Sequence, residues 1–298
     1  MDLFLACLMA IAGLVFGSFL NVCISRIPRE QSIVSPGSHC PHCGSPIRWY
    51  HNVPVISYVL LQTRCADCGQ HISSRYPAVE LLTALLFVAC FAKFGLGWAV
   101  LKFCILSFLL VGLIFMDAET GLLPHEFTYP GIALGLAFAC LVPVDSSGTE
   151  LILRILNLNP ALRARQLSLL DAAVAAAFGA IFFYVFWAAY YLLRKRHGLG
   201  FGDFALIAMC GAFLGVKLTL FVLFTAPVTA TVFAMAMLLR NSLHGQSAGA
   251  EQGEHPAARE MLQTGQIPFG VFLGACSLAA IFCGEAVWSR YLAWMLGG

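Results

Sequence analysis

The chain has 298 residues, of which 60% are hydrophobic and 11% charged, with a formal net charge of +2. Soluble domains carry roughly 25% charged residues, so an ordinary globular fold is excluded and a polytopic membrane protein is indicated. The near-neutral balance, with no basic stripe, also argues against a nucleic-acid partner.

Taken in chain order, apolar spans are predicted over residues 3–24, 78–95, 98–116, 128–144, 170–193, 204–216, 218–239 and 267–295. All but 204–216 reach the length of about 17 or more residues that crosses a bilayer, and the boundary between 204–216 and 218–239 is soft. The fold class expected is therefore all-α, with about eight transmembrane helices. Met1-Asp2 leads straight into apolar residues without a basic stretch or a clear cleavage site, so the first span reads as retained and not as a signal peptide. Three parts are expected: a first helix (1–24), a cysteine-containing insert (25–77) and a helical core (78–298). Within the core, 145–169 reads as an outer loop and 240–266 as a polar cytoplasmic linker.

Lysine and arginine bias sets orientation. Placing residues 25–77 in the cytoplasm gives that side ten Lys and Arg against seven on the other, with Arg194, Lys195 and Arg196 agreeing with the first loop. Both termini then lie outside, and the cysteine loop lies in the cytoplasm.

That loop contains Cys40-x2-Cys43 and Cys65-x2-Cys68, each pair followed by glycine (Gly44, Gly69). This spacing suits a tetrathiolate zinc site, structural because four thiolates leave no open position for water. Redox-active or disulfide-bonded pairs are the other reading of such cysteines. His39, His42 and His71 flank the pairs and read as surface residues. The eight remaining cysteines are scattered through apolar segments, where a free thiol acts as a small hydrophobe.

Two acids stand at span ends. Asp117 closes the third span, and Asp203 follows Gly198-Leu199-Gly200-Phe201-Gly202 and opens the sixth. The predicted topology brings both to the cytoplasmic face. Two carboxylates at one depth can share a proton, one activating water while the other polarises a scissile carbonyl. Plainer roles fit the same residues: a helix cap for Asp203, or ion ligands in a coupled transporter. Glu80, Glu119 and Glu285 are further acids near or in the membrane.

Taken together, the motifs resemble the bacterial type IV prepilin peptidases (prepilin leader peptidase/N-methyltransferase), a family of GxGD aspartyl proteases. They are Gly17-Ser18-Phe19-Leu20-Asn21-Val22, Arg26-Ile27-Pro28, the two CxxC pairs, Trp49 to Pro54, Ile72 to Pro77 with Glu80, Asp117 to Pro124, Gly200-Phe201-Gly202-Asp203 and Ile267-Pro268-Phe269-Gly270. The resemblance implies that Asp117 and Asp203 are catalytic. It implies an inner-membrane enzyme that cleaves prepilins and type II secretion pseudopilins after a glycine at the cytoplasmic face. It further implies methylation of the new N-terminus from S-adenosylmethionine, peptidase action alone being the alternative. No Rossmann-type glycine loop is present for that cofactor, and Asn21, Arg26, Arg48, Asn52, Arg75 and Glu80 are the candidate contacts. The chain departs from the family pattern at His125, where Asp is usual, at Ala205, where Lys is common, and at Val271, where Pro is usual.

Overall fold

A computed structural model of the chain describes residues 2–143, 146, 149–150, 153, 163–195, 200–243 and 268–295. The described residues are helical apart from turns and two isolated β-bridges. Among the described residues, six helical stretches are long and apolar enough to cross a membrane, as in a multi-pass membrane protein. The expectation of about eight differs in two places. One stretch, Phe201–Arg240, has 40 residues, about 60 Å of helix and twice the thickness of a bilayer core. It contains two of the predicted spans. Helix His125–Leu141 has only 17 residues, short for a span.

The chain forms two compact units, Met1–Gly112 and Leu113–Gly298. In the first, α1 (Leu3–Arg26) packs along α3 (Arg75–Phe94). Contact between them is backbone to backbone. A Cβ on Gly13 would fall 2.4 Å from the Cα of Ala84, and one on Gly17 would fall 2.7 Å from the Cα of Glu80. Glycines four residues apart remove side chains from one helix stripe, so two helices close without a hydrophobic driving force. Phe16 rests edge-on against Phe108 of α4 (Trp98–Thr120) and Phe19 stacks on the same ring. Between α1 and α3 lie two 3-10 turns, the short helix α2 (Ile56–Leu60) and the cysteine loop.

In the second unit, α5 (His125–Leu141), α6 (Ala164–Arg194) and α7 (Phe201–Leu243) pack on one another, and α8 (Phe269–Ala279) packs on α7. A π-helical turn at Ala280–Gly284 joins α8 to α9 (Glu285–Met295). Gly211 permits the close crossing of α6 and α7, where a Cβ would lie 2.6 Å from the backbone of Ala175. Helix α7 breaks at Gly215 (φ 76°, ψ 176°), a conformation that a side chain resists. Pro227 stays within helical dihedrals, and Thr231 donates to its carbonyl at 2.7 Å.

The break leaves the N–H of Val216 without a helical partner, and Asp171 of α6 accepts it at 3.1 Å. The hydroxyl of Thr149 donates to the other oxygen of Asp171, which is fully buried. Helix α6 begins at Ala164, so the last residues assigned to the outer loop are helical. Most of residues 145–163 and of the 240–266 linker, together with Ile267 and Arg196 to Leu199, lie outside the described residues.

Candidate active site and metal centre

Asp117 sits one turn before the end of α4. That end is set by Gly121 (φ 65°), whose N–H reaches the Asp117 carbonyl at 2.9 Å. A left-handed glycine is a common helix stop, and here it turns the chain just beyond the acid. The Asp117 carboxylate then meets the start of α8: the Val271 N–H donates to Oδ2 at 3.0 Å, and the Gly270 N–H contributes as well. Free N–H groups and the helix dipole favour negative charge at this position.

Asp203 lies in the first turn of α7. Its Oδ2 reaches back to accept the Gly200 N–H at 3.2 Å. This is the carboxylate arm of a capping box, so the plain capping role is real. It does not exhaust the residue, because Asp203 is only 6% exposed and feels the charge of Asp117, itself 6% exposed. Glu119, two residues on, is exposed. Burial thus separates Asp117 from its neighbour.

The motif glycines have a steric reason. A Cβ on Gly202 would lie 2.6 Å from the Cβ of Leu123, and one on Gly270 would lie 3.0 Å from Leu123 Cδ1 and 2.8 Å from Asp117 Oδ2. Leu123 therefore wedges against the starts of α7 and α8 together. Two helix N-termini converge, each presenting backbone N–H groups to a buried carboxylate.

In the first unit, Cys40, Cys43, Cys65 and Cys68 place their sulfur atoms within 4.8 Å of one another, a group that can hold a metal ion. Two copies of one local turn build it. The N–H of Gly44 donates to the Cys40 carbonyl at 2.9 Å and that of Gly69 to the Cys65 carbonyl at 3.0 Å. Both glycines are left-handed, at φ 72° and 70°. The bridges His39↔Pro46 and Arg64↔His71 close the two turns. Hydrogen bonds from the Ser45 side chain and backbone bring the Cys43 thiol down to about 6, and the backbone N–H groups of Cys68 and Asp67 lower Cys65. Four thiols at this range cannot all ionise. The Gln70 N–H lowers the Cys68 thiol, but local desolvation and its three sulfur neighbours push it up to about 12. His39, His42 and His71 are exposed.

The six candidate cofactor contacts all lie in the first unit. Arg26 is a buried pin, donating to the carbonyls of Ser32 at 2.9 Å and Gly37 at 3.0 Å. Glu80 accepts the Val55 N–H at 2.8 Å and a bond from Ser18, tying the loop to α1 and α3. Val55 is thereby held at φ 60°, unusual for a β-branched residue. Arg75 lies over the Tyr76 ring. Arg48 donates to the Tyr50 hydroxyl at 2.8 Å, and Asn52 is exposed. Asn21 donates to the Tyr76 carbonyl at 3.0 Å, while its buried Oδ1 has no hydrogen-bond partner among the described residues.

Two features escaped the sequence reading, the buried Asp171 and the packing role of a glycine pair. Asp171 is an acid inside an apolar span, which is itself a signal. Gly13 and Gly17 form a G-x-x-x-G pair, a helix-packing pattern.

Apolar helices long enough to cross a membrane, two buried carboxylates near converging helix starts and a four-cysteine group that can hold a metal ion mark a multi-pass membrane protein with a candidate aspartate pair. Residues 11–94 match the bacterial peptidase A24 N-terminal domain, and residues 103–235 match the type IV leader peptidase family. The chain is 39% identical over 248 residues to the prepilin leader peptidase/N-methyltransferase of Myxococcus xanthus, covering 82% of this chain and 66% of that protein. It is 34% identical over 261 residues to that of Neisseria gonorrhoeae (80% and 84% covered) and 31% over 304 residues to that of Aeromonas hydrophila (94% and 91%). The chain belongs to the type IV leader peptidase family. No solved structure matches it.

Proposed function

We propose that the protein is a prepilin leader peptidase and N-methyltransferase of the bacterial inner membrane, with Asp117 and Asp203 as its catalytic pair. The convergence of the two buried carboxylates on the starts of α7 and α8 carries this reading, and the names of the relatives support it. One carboxylate, ionised and steadied by backbone N–H groups, takes a proton from water. The other, protonated, donates to the scissile carbonyl, and the roles follow from the pair, not from either residue. The substrate class is the prepilins and pseudopilins, cleaved at the cytoplasmic end of an apolar helix.

The ion suited to the four thiolates is zinc, whose preference for a closed sulfur tetrahedron matches the donor set. It would be held by Cys40, Cys43, Cys65 and Cys68 and serve to fold the loop. The methyl donor is S-adenosylmethionine, which when bound supplies an electrophilic methyl group. Its candidate contacts are Asn21, Arg26, Arg48, Asn52, Arg75 and Glu80, all in the first unit.

Mass spectrometry of a prepilin incubated with purified protein and S-adenosylmethionine tests the reading. It should show loss of the leader and addition of one methyl group. An intact leader would overturn the peptidase reading, and a cleaved, unmethylated product would leave peptidase action alone.

A further inference from the structure

The short helix α2 belongs to the cysteine-containing insert, yet its outward side is apolar. Ile56, Val59 and Leu60 are exposed at 57%, 67% and 75%. Residues three and four apart share a helix face, so the three form one patch. Ser57 turns the other way and is buried: its hydroxyl donates to the Tyr50 carbonyl at 3.1 Å and accepts the Val53 N–H at 3.0 Å. These bonds fix the turn Trp49–His51 to α2. Trp49, exposed at 83%, meets Tyr50 edge-on at 5.6 Å, and Arg48 donates to the Tyr50 hydroxyl. Contiguous apolar exposure of this kind marks a contact surface, for protein or for membrane.

Three observations favour lipid. The first is depth. Val55, the residue before α2, donates its N–H to the Glu80 carboxylate at 2.8 Å. Glu80 lies five residues into the membrane-crossing helix Arg75–Phe94, about 7.5 Å past its start. Leu81, the next residue, is exposed, as a lipid-facing side chain of such a helix must be. Helix α2 therefore starts level with the apolar span and not out in water. The second is strain. Val55 stands at φ 60° and ψ −47°, with the Ile56 N–H on the Pro54 carbonyl at 2.6 Å, a γ-turn of the rare, strained hand. Such strain persists only where the surroundings hold it, and here the span's own Glu80 holds the turn that aims α2. The third is composition. Trp and Tyr prefer the membrane–water boundary, and arginines are drawn to anionic headgroups. Trp49 and Tyr50 flank the patch, and residues 25–77 carry five arginines against two acids.

We infer that α2 is an interfacial anchor. Ile56, Val59 and Leu60 sit in the boundary between headgroups and acyl chains, with Trp49 and Tyr50 beside them at headgroup level. The anchor lays the cysteine loop against the membrane surface. The inference goes beyond the peptidase reading and does not depend on it.

The test uses the full chain in nanodiscs of phosphatidylcholine and phosphatidylglycerol, with the fluorescent residue dansylalanine at position 60 or at position 42, an exposed site of the cysteine loop. Lipids brominated near the carbonyl end of the acyl chain should quench position 60 strongly, and lipids brominated near the chain terminus should quench it less. Neither should quench position 42. With the probe at position 56, Val59→Asp together with Leu60→Asp should shift emission to the red and lessen quenching, at an unfolding temperature matched to wild type. Water-like emission at position 60 would overturn the inference, as would quenching at position 42 equal to that at 60. Blue-shifted emission at position 60 that no brominated lipid quenches would overturn it in favour of a protein partner or a second copy. Quenching at position 56 left unchanged by the two substitutions would overturn it as well.

Discussion

Gly270→Ala places a methyl group where the structure has no room for one. The new Cβ would stand 2.8 Å from Asp117 Oδ2, 3.1 Å from its Cγ and 3.0 Å from Leu123 Cδ1. Favourable carbon contacts begin near ~3.5 Å, so the carboxylate must retreat by roughly half an ångström or more. That retreat stretches the 3.0 Å bond from the Val271 N–H and shifts the carboxylate from its resting position. Displacements of about 1 Å at a reacting group cost up to ~100-fold in rate. We expect kcat for prepilin cleavage to fall about 10- to 100-fold, or ~1.4 to ~2.7 kcal/mol. Stability should change much less, because alanine gains about 1 kcal/mol of helix propensity over glycine and offsets part of the clash. Initial cleavage rates, with thermal unfolding followed by circular dichroism, separate the two effects. A kcat within about twofold of wild type would refute the claim that the α8 start positions Asp117.

Other expectations follow from the same geometry. Asp171→Ala leaves the buried Val216 N–H and the Thr149 hydroxyl unpaired, and should destabilise the protein by about 1–3 kcal/mol, read as a lower unfolding temperature. Gly17→Leu drives a side chain into the Glu80 backbone and should weaken the α1–α3 pair, read as faster proteolysis of the first unit. Purified protein should contain one zinc ion per chain by elemental analysis, and Cys43→Ser together with Cys65→Ser should remove it. Zinc uptake should weaken as pH falls through about 6: the Cys43 thiol, lowered to about 6, is a thiolate above that value and must lose its proton again below it. Competition with a chromophoric chelator reads that change.

Much of the site was legible because its chemistry is local. Two CxxC pairs with trailing glycines announce paired turns, and the structure folds both pairs alike. Acids at the ends of apolar runs mark themselves by their cost in lipid. The division of helices was less legible. Hydropathy runs unbroken from Phe204 to Leu239 apart from Lys217, and the interruption comes from the backbone of Gly215, with Asp171 contributed from another helix. The same holds for the motif glycines. Only the folded chain shows that Leu123 is what approaches Gly202 and Gly270. Arg26 and Glu80 stand out in the sequence because they are polar and near a span end, and only the folded chain shows their hydrogen bonds to Ser32, Gly37 and Val55 of the loop.

The central claim is that Asp117 and Asp203 act as one catalytic unit. Asp117→Asn, Asp203→Asn and the double variant, purified with zinc content and unfolding temperature matched to wild type, should be assayed on one prepilin by mass spectrometry. The account predicts that each single variant loses cleavage as completely as the double variant, because neither carboxylate works without the other. Cleavage retained by either single variant would contradict it.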